Sequence, residues 1–155
     1  MSTKIGLARI EDAAAIAEMS RSLIEHGLPW SWTEGRVRRF IREPESAAIV
    51  ARDRRRIAGF AIMEFLDEHA HLSLLAVQPS YRHRGLGREL VQWLEASARM
   101  AGIFHIRLET RAENEGAQRF YAKLGYTSIA RRRAYYAGVE DAICMHRDLS
   151  AVSTS

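Results

Sequence analysis

Apolar and polar positions recur along this chain with two different spacings, and the changes between them mark out its elements. KIGLARI (Lys4 to Ile10) reads as a first strand. In EDAAAIAEMSRSLIEH, Ile16, Met19 and Leu23 share one face at helical spacing. LPWSWTE (Leu28 to Glu34) begins as a loop and ends as a helix start. Ser31 and Glu34 there have the spacing of a capping box, and Val37, Phe40 and Ile41 continue an apolar stripe. Pro44 stops that helix, since its ring cannot continue the hydrogen-bond ladder. SAAIVARD and RIAGFAIMEF predict a hairpin around a polar turn at Asp53 to Arg55, with Arg52 to Arg56 as a solvated tip. AHLSLLAV (Ala70 to Val77) predicts a third strand of the same meander. Beyond a glycine-containing loop, Leu90, Trp93, Leu94 and Ala98 mark a long amphipathic helix. IFHIRLET (Ile103 to Thr110) reads as a strand, and EGAQRFYAKLGY as a short helix closed by Gly125. YTSIARRRAYY and EDAICMHRDL end the pattern as a strand pair. The order β-α-α-β-β-β-α-β-α-β-β predicts one mixed α/β domain over residues 1–149. Its central strand–helix–strand unit should be a right-handed crossover between parallel strands. Residues 150–155 are expected to be a disordered tail.

Composition narrows the class without naming a function. A chain of 155 residues, 47% hydrophobic and 27% charged, suits one soluble domain. No apolar run is long enough to span a membrane, and MSTKIGLARI has no signal-peptide apolar region, so a cytoplasmic protein with no membrane partner is expected. The single cysteine, Cys144, excludes an internal disulfide framework and a multi-cysteine zinc site. The six histidines are scattered without ligand spacing, so no metal is expected. The formal charge is +4, and the cations are arginines apart from Lys4 and Lys123. Without a basic tail or a nucleic-acid-binding motif, a phosphate-bearing small ligand is favoured over nucleic acid.

The stretch YRHRGLGREL (Tyr81 to Leu90) is where such a ligand would bind. It follows an apolar strand and opens a helix. The P-loop pattern G-x-x-x-x-G-K-[S/T] is absent, and Leu90 stands where a dinucleotide fingerprint needs its third glycine. What remains is Arg82-x-x-Gly85-x-Gly87. Glycines let main-chain N–H groups approach an anion, and a helix N-terminus adds partial positive charge. A plain turn packed tightly at its glycines is the alternative.

LAVQPSYRHRGLGREL followed by IRLETRAENEGAQRFYAKLGY resembles the GNAT superfamily of acetyl-CoA-dependent N-acetyltransferases, and the resemblance covers nearly the whole chain. It implies a single domain with a mixed, mostly antiparallel sheet of about seven strands flanked by about four helices. It also implies acetyl-CoA as co-substrate, its pyrophosphate on the backbone of His83, Arg84, Gly85, Leu86, Gly87 and Arg88. The pantetheine arm would pair with Leu75, Ala76 and Val77 like an added strand. The chain is similar above all to the bacterial ribosomal-protein N-terminal alanine acetyltransferases, at LPWSWTE, at the spacing of Glu109, Asn114 and Tyr121, and at RRRAYYAGVEDAICM. The turn YYAGVEDA departs from that branch by being short and lacking a proline after the tyrosines, which bears on substrate fit.

By this resemblance Glu109 is the general base, acting directly or through a water. Its position near a strand end also suits a salt bridge to Arg107 or Arg111. Glu64 is the second candidate base. Tyr121 is implied as the acid that protonates the departing thiolate, and a core aromatic is the alternative. Asn114 is implied to bond the pantetheine arm and could also cap the helix that follows. Trp30, Trp32, Tyr135 and Tyr136 would line the acceptor side. His71 and Ser73 share a strand face, but no nucleophile–base–acid set follows from that. The expected function is acetylation of a protein N-terminal α-amine, of a ribosomal protein if the branch resemblance holds. A small-amine acetyltransferase and a non-catalytic acyl-CoA-binding module are the alternatives.

Overall fold

The computed structural model describes residues 3–150. Its strands are β1 (Lys4–Leu7), β2 (Ser46–Asp53), β3 (Arg56–Phe65), β4 (Ala70–Val77), β5 (His105–Arg111), β6 (Thr127–Tyr136) and β7 (Glu140–Asp148). Its helices are α1 (Ala13–Met19), α2 (Glu34–Arg42), α3 (Leu86–Met100) and α4 (Glu115–Lys123). The order along the chain is the one the apolar pattern predicts. The strands form one seven-stranded sheet in the order β1-β2-β3-β4-β5-β7-β6. β4 and β5, joined through α3, run parallel, and the other neighbours are antiparallel. No helix among the described residues is long and apolar enough to cross a membrane.

Both faces of the sheet centre are covered, which explains the unbroken apolar runs of β2 and β3. Ala47, Ile49 and Ala51 point into a core shared with Leu90 and Leu94 of α3 and with Tyr121 of α4. Ala48 and Val50 alternate into a second core with Ile16 of α1 and Val37 of α2. The pattern reverses within β4. Leu72 belongs to the first core and Leu74 to the second, although residues two apart on a regular strand share a face. Ile62 pairs with Leu74 and Met63 with Leu72, so Ser73 is an extra residue in a β-bulge that turns the strand over.

Two local expectations are corrected. The cap of α2 is Thr33, whose Oγ1 accepts from the Arg36 N–H at 3.4 Å. Ser31 instead donates its N–H and hydroxyl to Glu25 Oε1 at 2.7 and 2.8 Å. The run Arg52 to Arg56 is not solvated throughout. Arg52 pairs with the buried Asp12 at 2.7 Å, and Asp53 accepts from the Tyr81 hydroxyl, leaving Arg54 and Arg55 as the turn. The expected tail lies, apart from Ser150, outside the described residues.

Candidate active site

The central parallel pair produces the site. β4 and β5 pair over Ala70–Leu72 and Ile106–Leu108, and pairing stops there. Beyond that point a cleft of about 1060 Å³ opens between them. Ser73, Leu74 and Leu75 line it from β4, and Leu108, Glu109, Thr110 and Arg111 from β5. Asn114, Ala117 and Tyr121 line it from the α4 side. On the opposite side the lining comes from the segment between α1 and α2, including Glu25, Leu28 and Trp32, and from Tyr135, Tyr136 and Glu140 of the final hairpin. The cleft therefore passes through the sheet.

Side-chain alternation along β5 divides its residues between the two faces. Leu108 and Thr110 are buried toward α3 and α4, and Glu109 and Arg111 face the α1–α2 side. Glu109 Oε1 lies 2.6 Å from His71 Nε2 and accepts from the Tyr135 hydroxyl at 3.1 Å. His71 Nδ1 is in turn 3.1 Å from Ser73 Oγ. The structure thus joins Ser73, His71 and Glu109 in one chain of hydrogen bonds, which strand-face parity does not reveal. The expected salt bridge of Glu109 to Arg107 or Arg111 does not form. Arg111 is engaged elsewhere: its guanidinium donates to the carbonyls of Ile24 and His26 and pairs with Glu140 at 3.4 Å. It ties together the two walls of the α1–α2 side. Burial pushes the Glu109 carboxyl upward. The hydrogen bond and charge of His71, the Tyr135 hydroxyl and the charge of Arg132 outweigh it and hold the group below the ordinary carboxylate value.

Tyr121 sits across the sheet, packed edge-on against Phe120 and Tyr126 with ring centroids 5.0 and 5.7 Å away. Burial first, and the nearby Tyr136 second, raise its hydroxyl above an ordinary phenol. It stays a proton donor at any physiological pH. Asn114 caps α4, its Oδ1 accepting from the Ala117 N–H at 3.0 Å, and lines the cleft as well. Glu64 also lines the cleft, opposite His71 in the β3–β4 register.

The other candidates divide. Leu75 lines the cleft, whereas Ala76 is buried in the second core and the Val77 carbonyl accepts from Arg82 Nε at 3.3 Å. The loop from His83 to Arg88 is exposed apart from Leu86, which is buried, and Gly87, which is partly covered. Gly85 enters α3 at φ +78° and His83 at φ +64°, and no side chain caps that helix N-terminus. Its first N–H groups are therefore available to an anion, with Arg84 and Arg88 exposed nearby. Trp32 lines the cleft but is largely core: it is buried against Phe40, with the Arg36 guanidinium 3.9 Å above its ring. Trp30 is exposed outside the cleft lining, with Arg21 over its ring. Tyr135 and Tyr136 both line the cleft.

Sequence reasoning missed His71 and Glu25. The buried Glu25 carboxylate accepts from the Ser31 N–H and hydroxyl, the Trp32 N–H and the Ser20 hydroxyl, and so fixes the loop that walls the cleft. In sequence Glu25 falls opposite the stripe of Ile16, Met19 and Leu23, so the apolar period gives no sign of its burial. Among the described residues no group of three or more His, Cys, Asp or Glu is placed to hold a metal ion.

Residues 17–126 match the family model described as acetyltransferase (GNAT) family. A [ribosomal protein bS18]-alanine N-acetyltransferase of Salmonella typhimurium is 39% identical over 98 residues, a match spanning 61% of this chain and just under two thirds (66%) of that protein. The N-alpha-acetyltransferase RimI of Mycobacterium tuberculosis is 29% identical over 149 residues, covering 93% of this chain and 91% of its own. The crystal structure of the ribosomal-protein-S18-alanine N-acetyltransferase from Escherichia coli superposes with a TM-score of 0.82 at 29% identity, over 99% of this chain and 98% of that one.

Proposed function

Because the chain belongs to the acetyltransferase (GNAT) family, we propose that it transfers acetyl from acetyl-CoA to the N-terminal α-amine of a protein. The observation that carries this reading is the cleft through the sheet, with a carboxylate on one side and a tyrosine hydroxyl on the other. Acetyl-CoA supplies the thioester carbonyl and the thiol that leaves. The residues present suit it: the unpaired side of β4 beyond Leu72 offers main-chain groups to an extended amide-bearing arm, and the uncapped start of α3 offers N–H groups to its phosphates.

The chain's own contribution is to move protons and hold the two reactants. Glu109 takes a proton from the amine, directly or through a water, and Tyr121 gives one to the sulfur. An α-amine has a pKa of about 7.7–8.0 and a lysine amine about 10.4, so a carboxylate held below its ordinary value suits the α-amine. Glu25, Glu64, Glu113 and Glu140 in the lining attract a cationic acceptor despite the positive net charge. Tyr135, Tyr136 and Trp32 would hold the first peptide units. The relatives acting on the ribosomal protein bS18 favour a ribosomal acceptor, which would put the reaction in the cytoplasm.

The test compares kcat/KM for an Ala-initiated peptide, the same peptide blocked at its N-terminus but carrying an internal lysine, and a polyamine. The Ala-initiated peptide should win. Glu109→Gln should lower kcat by about 10²–10⁴, the usual contribution of a general base. A faster blocked peptide or polyamine would overturn the N-terminal reading, and an undiminished Glu109→Gln enzyme would remove Glu109 from the base role.

A further inference from the structure

We propose that His71 is a positioning residue for the base, presenting Glu109 to the amine with one carboxylate oxygen left free. The inference rests on the reading of Glu109 as base. His71 enters from β4 and Glu109 from β5, at the point where the two strands stop pairing. Their 2.6 Å contact therefore spans the opening of the cleft. The imidazole is held at both nitrogens. Nε2–H donates to Glu109 Oε1, and Nδ1 meets Ser73 Oγ at 3.1 Å. Ser73 shares the strand face of His71 and is the extra residue of the β4 bulge. Tyr135 donates to the same Oε1, so both partners anchor one oxygen. The other, Oε2, makes no hydrogen bond among the described residues and is the atom left to take a proton.

The proton balance follows. The α-ammonium first loses one proton, passed through Glu109 Oε2 to solvent, to become nucleophilic. As the N–C bond forms and the C–S bond breaks, nitrogen gives its second proton to Glu109 Oε2 and sulfur takes one from Tyr121. Glu109 then releases its proton to solvent and Tyr121 regains one from solvent, so one proton is released overall. The His71 Nε2–H fixes the carboxylate through Oε1 and leaves Oε2 as its proton acceptor. Other charges also face this ring. Glu64 lies opposite on β3, Arg107 opposite on β5, His69 two residues earlier, and Tyr135 and Arg132 approach from β6. Among the described residues only Glu109 and Ser73 bond to it.

His71→Ala, His71→Gln and Glu109→Gln test this with the Ala-initiated peptide between about pH 5.5 and 9, alongside calorimetric acetyl-CoA affinity and thermal unfolding. His71→Ala should lower kcat by about 10- to 100-fold, the range of one charge-assisted hydrogen bond, with acetyl-CoA affinity unchanged. His71→Gln keeps an N–H donor and should recover most of kcat. If the alanine variant fails to fold, the glutamine variant carries the test alone. A glutamine variant slowed by about 10-fold or more, or an alanine variant with undiminished kcat, overturns the role of His71 while Glu109→Gln stays slow. A Glu109→Gln enzyme at wild-type rate overturns the underlying reading of Glu109 instead.

Discussion

Gly85 and Gly87 open the same helix but lack a side chain for different physical reasons, and substitution by alanine separates them. A Cβ on Gly87 would lie 3.1 Å from Phe120 Cζ and 3.3 Å from Cε1, with Val77 Cγ2 at 3.8 Å. The Phe120 ring would have to retreat by a few tenths of an ångström, and it abuts the Tyr121 ring edge-on. Overpacking of this kind costs about 1–3 kcal/mol, which for a domain of this size lowers Tm by about 2–12 °C. A Cβ on Gly85 meets nothing within 4 Å, so only its φ of +78° penalises alanine, by about 1–2 kcal/mol. Phe120→Leu separates the cases, because a shorter side chain clears the space beside Gly87 and does nothing for Gly85. Thermal unfolding of both alanine variants with and without Phe120→Leu completes two double-mutant cycles. Rescue is expected for Gly87→Ala and none for Gly85→Ala. If Gly87→Ala unfolds at the wild-type temperature, or Phe120→Leu fails to rescue it, packing is not why position 87 is glycine. Calorimetry on the rescued double variant then reads the anion site separately. Weak acetyl-CoA binding in a stable protein would show that the backbone at 87 must also stay bare for the ligand.

Tyr121→Phe should slow transfer while acetyl-CoA still binds, and the loss should be level from about pH 6 to 9, because the buried hydroxyl never ionises in that range; a loss that changes steeply with pH would contradict it. Glu25→Ala removes the acceptor of four hydrogen bonds in the loop facing the α1–α2 side. It should raise the peptide KM with acetyl-CoA affinity unchanged, and an unaltered KM would dissociate that loop from the acceptor. Burial raises the carboxyls of Asp12 and Glu25, but Arg52 with the Arg9 N–H, and the Ser31, Ser20 and Trp32 donors, hold them below their ordinary values of 3.8 and 4.5. A lowered folded pKa gives stability that is present above the unfolded value and lost as pH falls through the folded one. Tm should thus hold steady down to about pH 5 and drop below about pH 4, and the Asp12→Asn variant should show a smaller acid drop.

The element order was legible because each helix and strand carries its own apolar period, and the resemblance at ENEGAQRFY named Asn114 and Tyr121, which line the cleft. What escaped depends on contacts between residues distant in sequence. The Ser31–Glu34 spacing satisfies a capping pattern, but Glu25 lies six residues away, buried, and takes Ser31 first; Thr33 is left to cap the helix. Arg52 looks like part of a solvated charge run until the fold brings Asp12 beside it. Gly87 reads as an anion-binding glycine, and the structure adds Phe120 as a reason independent of any ligand. The period of two already puts His71 beside Ser73, but its contact with Glu109 depends on the parallel register of β4 and β5, which no local pattern shows.

That same bulge and the early end of β4–β5 pairing have a joint consequence for the chemistry. In an unbroken sheet, a side chain on the α1–α2 face and one on the α3–α4 face are separated by a continuous layer of backbone, and no small group can touch both. Here the layer is interrupted beyond Leu72 and Leu108, so Glu109 on one face and Tyr121 on the other line a single space. In the proposed reaction, an acyl group held in the gap would have its amine partner on the carboxylate side and its leaving sulfur on the tyrosine side, and the two proton transfers would use groups that cannot short-circuit each other. Separation also lets each group keep an environment the other would spoil: Glu109 ionised among hydrogen-bond donors, and Tyr121 neutral in an apolar pocket. A direct carboxylate–tyrosine contact would draw the donor's proton toward the base, so the division of the site by the sheet is what allows an acid and a base to act on one carbonyl.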